Sequence, residues 1–259
     1  MIHHKGGRHL YQAIGLTDVG KVRTQNQDSY LFKEVEGLGL VLLVCDGMGG
    51  AKAGNVASAK AVQVMMEMIM LSAQRVSQSY SIRDLLTDGV VCANQVVYEM
   101  SQKNPDLEGM GTTAVAALLA PDGRVSLVHV GDSRAYLIGE QPRLLTRDHT
   151  IVQMMVEQGQ LTAKEAKYHP KRNLITRALG VEETVETDYN EAQLALGESL
   201  LLCTDGLTSF AEEQEIFSVL RKQAPDQALE QLVALANSGG GGDNITAVLA
   251  YETDPGRNA

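Results

Sequence analysis

Val41-Leu42-Leu43-Val44-Cys45-Asp46-Gly47-Met48-Gly49-Gly50 is an apolar run that stops on a carboxylate and then on glycines. The run is too short for a globular helix and shows no polar alternation, so it reads as a strand covered on both faces. Glycine lets the backbone turn sharply and lets its own carbonyl come close to a ligand. Asp46 therefore stands at a strand end, pointing into whatever lies above the sheet.

The pattern recurs in kind. Val125 to Val130 runs into Gly131-Asp132-Ser133-Arg134, and Leu200 to Cys203 into Thr204-Asp205-Gly206. Gly239 to Gly242 lead into Asp243-Asn244, followed by the strand-like Ile245 to Ala250. Four aspartates thus lie at four strand ends, and the reading that organises the chain is that they converge. A fifth, Asp28, sits in the polar stretch Lys21-Val22-Arg23-Thr24-Gln25-Asn26-Gln27-Asp28-Ser29, just before the strand opened by Tyr30-Leu31-Phe32.

Around these strands the period changes. Val56, Ala59, Val62, Met66 and Ile69 fall at helical spacing, which predicts an amphipathic helix over 54–73, with Met65, Met66, Met68 and Met70 as adaptable core filler. A second helix is expected over 82–103, ended by Asn104-Pro105. Strands at 114–120 and 124–130 flank the turn Pro121-Asp122-Gly123, and 135–139 makes another. His129 reads as a satisfied core histidine. Two short helices follow, one over 150–158 capped by Gly159 and one opened by the capping box Thr162-Ala163-Lys164-Glu165. This pair interrupts a run of strands and so reads as a surface insertion. The acidic 182–191 leads to a strand at 199–204, helices follow at 209–220 and 225–236, and a strand from Ile245 closes the fold. Two packed sheets with helices on their outer faces accommodate this order.

The 259 residues are 44% apolar, enough for a substantial core, and carry a net charge of −10. That charge repels nucleic acid and anionic membrane surfaces. Cys45, Cys92 and Cys203 have no zinc-site spacing and read as small buried hydrophobes in a reducing compartment. Neither a signal peptide nor an apolar run of spanning length is apparent, so the expected location is cytoplasmic. Residues 1–9, with His3-His4, are expected to be a disordered leader, 10–252 a single domain and 253–259 a tail. A monomer is expected, with no nucleic-acid and no membrane partner.

Gathering carboxylates is costly: two charges ~4 Å apart repel by about 4 kcal/mol at an effective dielectric near 20. Protons or cations must offset this. All-oxygen ligands without a Cys or His set suit Mg²⁺, Mn²⁺ or Ca²⁺. The Ca²⁺ loop D-x-[DN]-x-[DN]-G is absent, leaving the Mg²⁺ or Mn²⁺ style, in which two ions can share and acidify a water. A single Asp-Gly after a strand is more often only a turn; the joint pattern carries the inference. Arg23 offers a planar bidentate group suited to phosphate, although alone it could equally be a solvated surface cation. The glycines at 47–50 are no dinucleotide fingerprint, because position 52 is Lys and an aspartate precedes the first of them.

Arg23-Thr-Gln-Asn-Gln-Asp28, Val44-Cys-Asp-Gly-Met-Gly-Gly50, Gly111-Thr-Thr113, Gly131-Asp-Ser-Arg134, Asp148-His149, Ile175-Thr-Arg-Ala-Leu-Gly180, Thr204-Asp-Gly-Leu207 and Asp243-Asn-Ile-Thr246 occur in one order across nearly the whole chain. In these stretches the chain resembles the metal-dependent serine/threonine protein phosphatases of the PP2C type, in their bacterial form. The resemblance implies an α+β fold: a four-layer αββα sandwich of two packed, mostly antiparallel β-sheets flanked by helices, with a small helical flap at about 150–170. It implies hydrolysis of phosphoserine and phosphothreonine by in-line attack of a metal-bridging water, on proteins phosphorylated by a cognate Ser/Thr kinase. It also implies two Mn²⁺ or Mg²⁺ ions. Carried over, Asp46, Asp205 and Asp243 would be direct ligands, Asp46 bridging both ions. The Gly47 carbonyl would ligate one ion, Asp28 would act through bound water, and Asp132 with Asp205 would form a third, weaker site. Arg23 would hold the substrate phosphate.

Two positions depart from the family pattern. Many relatives carry Glu where Gln27 stands, and its loss weakens the expectation for the second ion. Eukaryotic relatives carry a proton-donating His where Met48 stands, so the expectation here is that metal-bound water serves the leaving group. A catalytically silent phosphoprotein-binding module is the competing reading, disfavoured because all five aspartates and Arg23 are present. A branch dedicated to one partner, such as an anti-sigma antagonist, is disfavoured because Arg23 and the flap are intact.

Overall fold

The computed structural model describes residues 11–49 and 53–253. The expected leader, and the expected tail apart from Thr253, lie outside them. One sheet runs in the order β1 (Tyr11–Asp18), β11 (Ile245–Glu252), β10 (Ser199–Cys203), β7 (Arg134–Ile138), β8 (Arg143–Leu144). The other runs β2 (Asp28–Val35), β3 (Gly39–Met48), β5 (Ala114–Leu119), β6 (Arg124–Val130), β9 (Asp188–Gln193), with the two-residue β4 (Gly111–Thr112) on β3. Every pairing is antiparallel.

The period of two along β3 assigns its side chains to two cores. Leu40, Leu42 and Val44 join Leu137, Leu200, Leu202 and Val248 in the layer between the sheets. Val41, Leu43 and Cys45 face α1 (Ala53–Ser72) and α2 (Ile82–Lys103) on the outside. All of Val41 to Cys45 have no solvent exposure, as a strand covered on both faces requires. The other sheet turns Leu201, Cys203, Ala247 and Leu249 toward α5 (Asp205–Thr208), α6 (Glu213–Lys222) and α7 (Pro225–Ser238). The result is the expected αββα order of layers. The flap is α3 (Ile151–Glu157) and α4 (Ala163–Lys167), and Thr162 and Glu165 make the foreseen capping box.

Several local expectations need correction. β3 continues past Asp46, because Gly47 and Met48 pair with Thr112 and Gly111. The acidic connector contains the edge strand β9; its sequence DYNEAQ lacks an apolar face, and charge suits an edge that must not recruit another strand. The helix expected over 209–220 is α6, which begins later, at Glu213, and no sequence signal marks the separate short helix α5, which starts on Asp205 itself. In α1, Ala59 and Met70 are exposed, while Met65 and Met66 are in the core. Helix α1 with the turn after it (Ala53–Arg75) is also long and apolar enough to cross a membrane, contrary to the expectation that no such run exists. Its alanines and methionines raise the hydropathy, and half of that stretch is buried against protein.

Candidate active site

β2 and β3 pair so that Asp28 stands directly opposite Asp46, an unfavourable placement for two like charges. β10 ends and β11 begins on the same side, bringing Asp205 and Asp243 to it, and β6 delivers Asp132 just past its end. Asp46, Asp132, Asp205, Asp243 and Arg23 line one cleft of about 220 Å³, together with Gly47, Met48 and Thr113 from the core side and Asn173 and Ile175 from the flap's return. Asp28 lies behind the cleft wall and is 8% exposed. All of the sequence-predicted site residues are therefore at or directly behind one opening.

The backbone here admits little variation. A side chain on Gly47 would place Cβ 2.1 Å from the Gly54 carbonyl oxygen and 2.5 Å from that of Gln27. Helix α1 is thus seated against the strand at the residue following Asp46. Thr113 ties this strand to its neighbour: its Oγ1 accepts the Asp46 N–H at 2.9 Å, and its own N–H donates to the Asp46 carbonyl at 2.9 Å. The same hydroxyl is 2.7 Å from Ser133 Oγ, beside Asp132.

Electrostatically the cluster is short of positive charge. Burial raises the Asp28 carboxyl to about 7, against the pull of hydroxyl donors Thr246 and Thr204, which reach its Oδ2 at 2.7 and 2.9 Å. Burial, then repulsion from Asp28, Asp205, Asp132 and Asp243, holds Asp46 well above the ordinary carboxylate range. Asp132 is raised to about 8, by burial and then by Asp205. Asp205 is raised to about 6, by burial and then by Asp243, offset by a hydrogen bond shared with Asp46. Arg23 Nη2 meets Asp243 Oδ2 at 2.9 Å, at the exposed side of the cluster. Asp28 Oδ1 and Asp205 Oδ1 are buried without a hydrogen-bond partner. Unpaired oxygens, acids that resist ionising and, among the described residues, no amine or imidazole lining the cleft fit a hard divalent cation.

Sequence reasoning passed over the residues that hold the acids in place. Asn244 accepts the Gln27 N–H at 2.8 Å and donates to Val19 O and Gln25 O at 2.9 and 3.0 Å, pinning the loop that carries Arg23. Thr204, Thr246 and Thr113 grip Asp28 and Asp46. Each lies inside a quoted motif, but hydroxyl and amide side chains announce no charge. Asn173 has no sequence signal at all.

A second grouping brings ligand atoms of His129, His149 and Asp188 within 4.8 Å of one another. A cation already serves it: Arg177 Nη1 is 2.9 Å from Asp188 Oδ1 and 3.3 Å from His149 Nε2. His149 Nδ1 accepts the Gly131 N–H at 3.1 Å, and the Gly131 carbonyl accepts the His149 N–H at 3.0 Å, clamping the turn before Asp132. His129 is only half satisfied: Nε2 contacts the Arg147 backbone, while Nδ1 has no partner.

The sequence profile of the family "Protein phosphatase 2C" matches residues 20–235. The chain is 36% identical over 247 residues to the serine/threonine phosphatase stp of Listeria monocytogenes, covering 94% of this chain and 97% of that one. Its fold superposes on the serine/threonine phosphatase Stp1 from Staphylococcus aureus with a TM-score of 0.88 at 34% identity, covering 98% and 99% of the two chains. It also superposes on the catalytic domain of the serine/threonine protein phosphatase PstP, solved in complex with two manganese ions, with a TM-score of 0.80 at 34% identity, covering 94% and 99%.

Proposed function

We propose how the site works from the premise that this chain belongs to the protein phosphatase 2C family and is a metal-dependent serine/threonine phosphatase. The observation that carries the mechanism is the meeting of five aspartates from separate segments, with Arg23 at the open side. Asp46, Asp205, Asp243 and the Gly47 carbonyl would hold two Mn²⁺ or Mg²⁺ ions, with Asp28 behind them as an acceptor for bound water. Asp132 with Asp205 would hold a third. Bound there, the ions supply charge against the phosphoryl oxygens and lower the pKa of attacking water.

The chain's own residues do the rest. Thr204 and Thr246 fix Asp28 in one orientation, so it accepts a proton or hydrogen bond without moving. Arg23 is half-exposed and paired only at the rim, so it can turn its remaining N–H groups toward an incoming phosphate dianion. The side chain of Met48 lines the cleft and offers no proton. His129, His149 and His169 do not line it, so among the described residues no histidine is placed to protonate the leaving serine or threonine oxygen.

A cleft of about 220 Å³ takes a phosphorylated side chain and leaves the peptide across the mouth, beside the flap. The physiological substrates are then proteins phosphorylated by a Ser/Thr kinase in the cytoplasm. Because every proposed ligand comes from one chain, a monomer is sufficient. The test is phosphate release from p-nitrophenyl phosphate and from a phosphothreonine peptide with Mn²⁺, then with EDTA. Release that EDTA abolishes supports the reading; no release from either substrate with Mn²⁺ present would overturn it.

A further inference from the structure

This chain carries a net charge of −10, yet the flap taken together with the segment returning from it is locally basic: residues 150–176 hold four Lys or Arg against two Glu, the excess being Lys171 and Arg172 of the return. The flap's acids are occupied. The Glu165 carboxylate closes the capping box with Thr162, and Glu157 pairs with Arg147. Lys167 is neutralised by Glu212. Lys164, Lys171 and Arg172 are exposed, and among the described residues their side chains have neither an ion-pair nor a hydrogen-bond partner.

Position makes this relevant to the cleft. Asn173 and Ile175 line it, so Lys171 and Arg172 stand on its rim, one and two residues before a wall residue, at about 3.8 Å of backbone per step. The segment is held there at both ends. The Ile151 N–H donates to the Leu174 carbonyl at 3.0 Å, the Thr176 N–H donates to the His149 carbonyl at 2.7 Å, and the Leu174 N–H donates to the Lys171 carbonyl at 3.1 Å. An extended substrate advances about 3.3 Å per residue, so groups within two or three residues of the phosphorylated one pass these cations.

Resting on the phosphatase reading, we propose that Lys171 and Arg172, with Lys164 further out, form an anion-recognising rim. It selects phosphosites flanked by acidic residues or by a second phosphate. The shared chemistry is negative charge beside the scissile phosphate, and the overall acidity of the chain makes this rim the favoured approach for such a segment.

The experiment compares kcat/KM on four phosphothreonine peptides of one length, with Gln, Glu, Lys or an added phosphothreonine in the flanks. Wild type and K171Q/R172Q are assayed with Mn²⁺ at low and high salt. For wild type the expected preference for an anionic over the Gln flank is about tenfold at low salt, shrinking severalfold at high salt. In K171Q/R172Q the ratio falls to about two or less, and K171E/R172E reverses it against a Lys-flanked peptide. The two anionic peptides separate carboxylate from phosphate as the preferred source. Equal rates by wild type on the Gln-flanked and the two anionic peptides, or an undiminished ratio in K171Q/R172Q, would overturn the proposal while leaving the phosphatase reading standing. No turnover of even the Gln peptide would instead remove the reading beneath it.

Discussion

Asp205→Asn should stabilise the metal-free protein while removing its activity. Asp205 Oδ1 is buried without a partner, and its carboxyl is raised to about 6 by burial and by Asp243. A carboxyl whose folded pKa lies above its unfolded value contributes stability that is complete below the unfolded pKa, near 4, and lost as pH rises through the folded one. At pH 8 the shift of about two units corresponds to about 3 kcal/mol of opposition to folding, at 1.36 kcal/mol per unit. Solvent reaching Asp205 through the cleft reduces this to about 2 kcal/mol. Asparagine carries no charge to desolvate, and its amide can donate to Asp46. The metal-free variant should therefore melt about 4–8 °C above wild type at pH 8, taking ~2–4 °C per kcal/mol for a chain of this size. At pH 4.5 the gap should shrink to about a third of that. Differential scanning fluorimetry in EDTA across pH 4.5–8.5 measures this, and phosphopeptide turnover with Mn²⁺ should fall at least a hundredfold. A variant melting at or below wild type at pH 8, or one with near-normal turnover, refutes the reasoning.

Mn²⁺ must displace protons from Asp28, Asp46, Asp132 and Asp205, all raised in the folded state. The rise in melting temperature on adding Mn²⁺ should therefore be larger at pH 8 than at pH 5.5, and a pH-independent rise would count against these acids as ligands. Leu42→Ala, at a position with no exposure between the sheets, should cost about 2–5 kcal/mol in urea unfolding without changing the metal dependence of the remaining activity. His149→Ala should lower activity several-fold through the Gly131 turn but keep the shape of the kcat–pH profile; loss of one limb of that profile would make His149 a proton donor after all.

The readable parts of this fold were those in which a side chain's chemistry is conspicuous and its period unbroken. Val41 to Cys45 announced a doubly covered strand because five apolar residues in succession leave no wet face. The aspartates announced a site because a carboxylate at a strand end has no reason to be there in number. β9 was missed because Asp188–Gln193 offers only Tyr189 and Ala192, on opposite faces, among polar residues, and its strand state comes from pairing with β6, not from local preference. The start of α5 at Asp205 was missed for a similar reason: a four-residue helix has too few positions to show a period. The threonines and Asn244 that orient the acids were invisible because their role depends on partners more than forty residues away.

The core and the active site are consequences of one alternation. Leu40, Leu42 and Val44 point into the layer between the sheets, and the next residue of that parity is Asp46. Across the pair, Asp28 shares a face with Tyr30 and Phe32, which pack against the same layer. The acids therefore occupy the end of the inter-sheet core, where apolar side chains give way to an opening toward solvent. Being nearly inside a hydrophobic layer raises their pKa values, and lying at its open end gives cations and phosphate access. A one-residue slip of β2 against β3 would turn Asp28 toward the helices, break the apolar layer and empty the site together. Selection for a packed core thus also holds the register on which the proposed metal ligands depend.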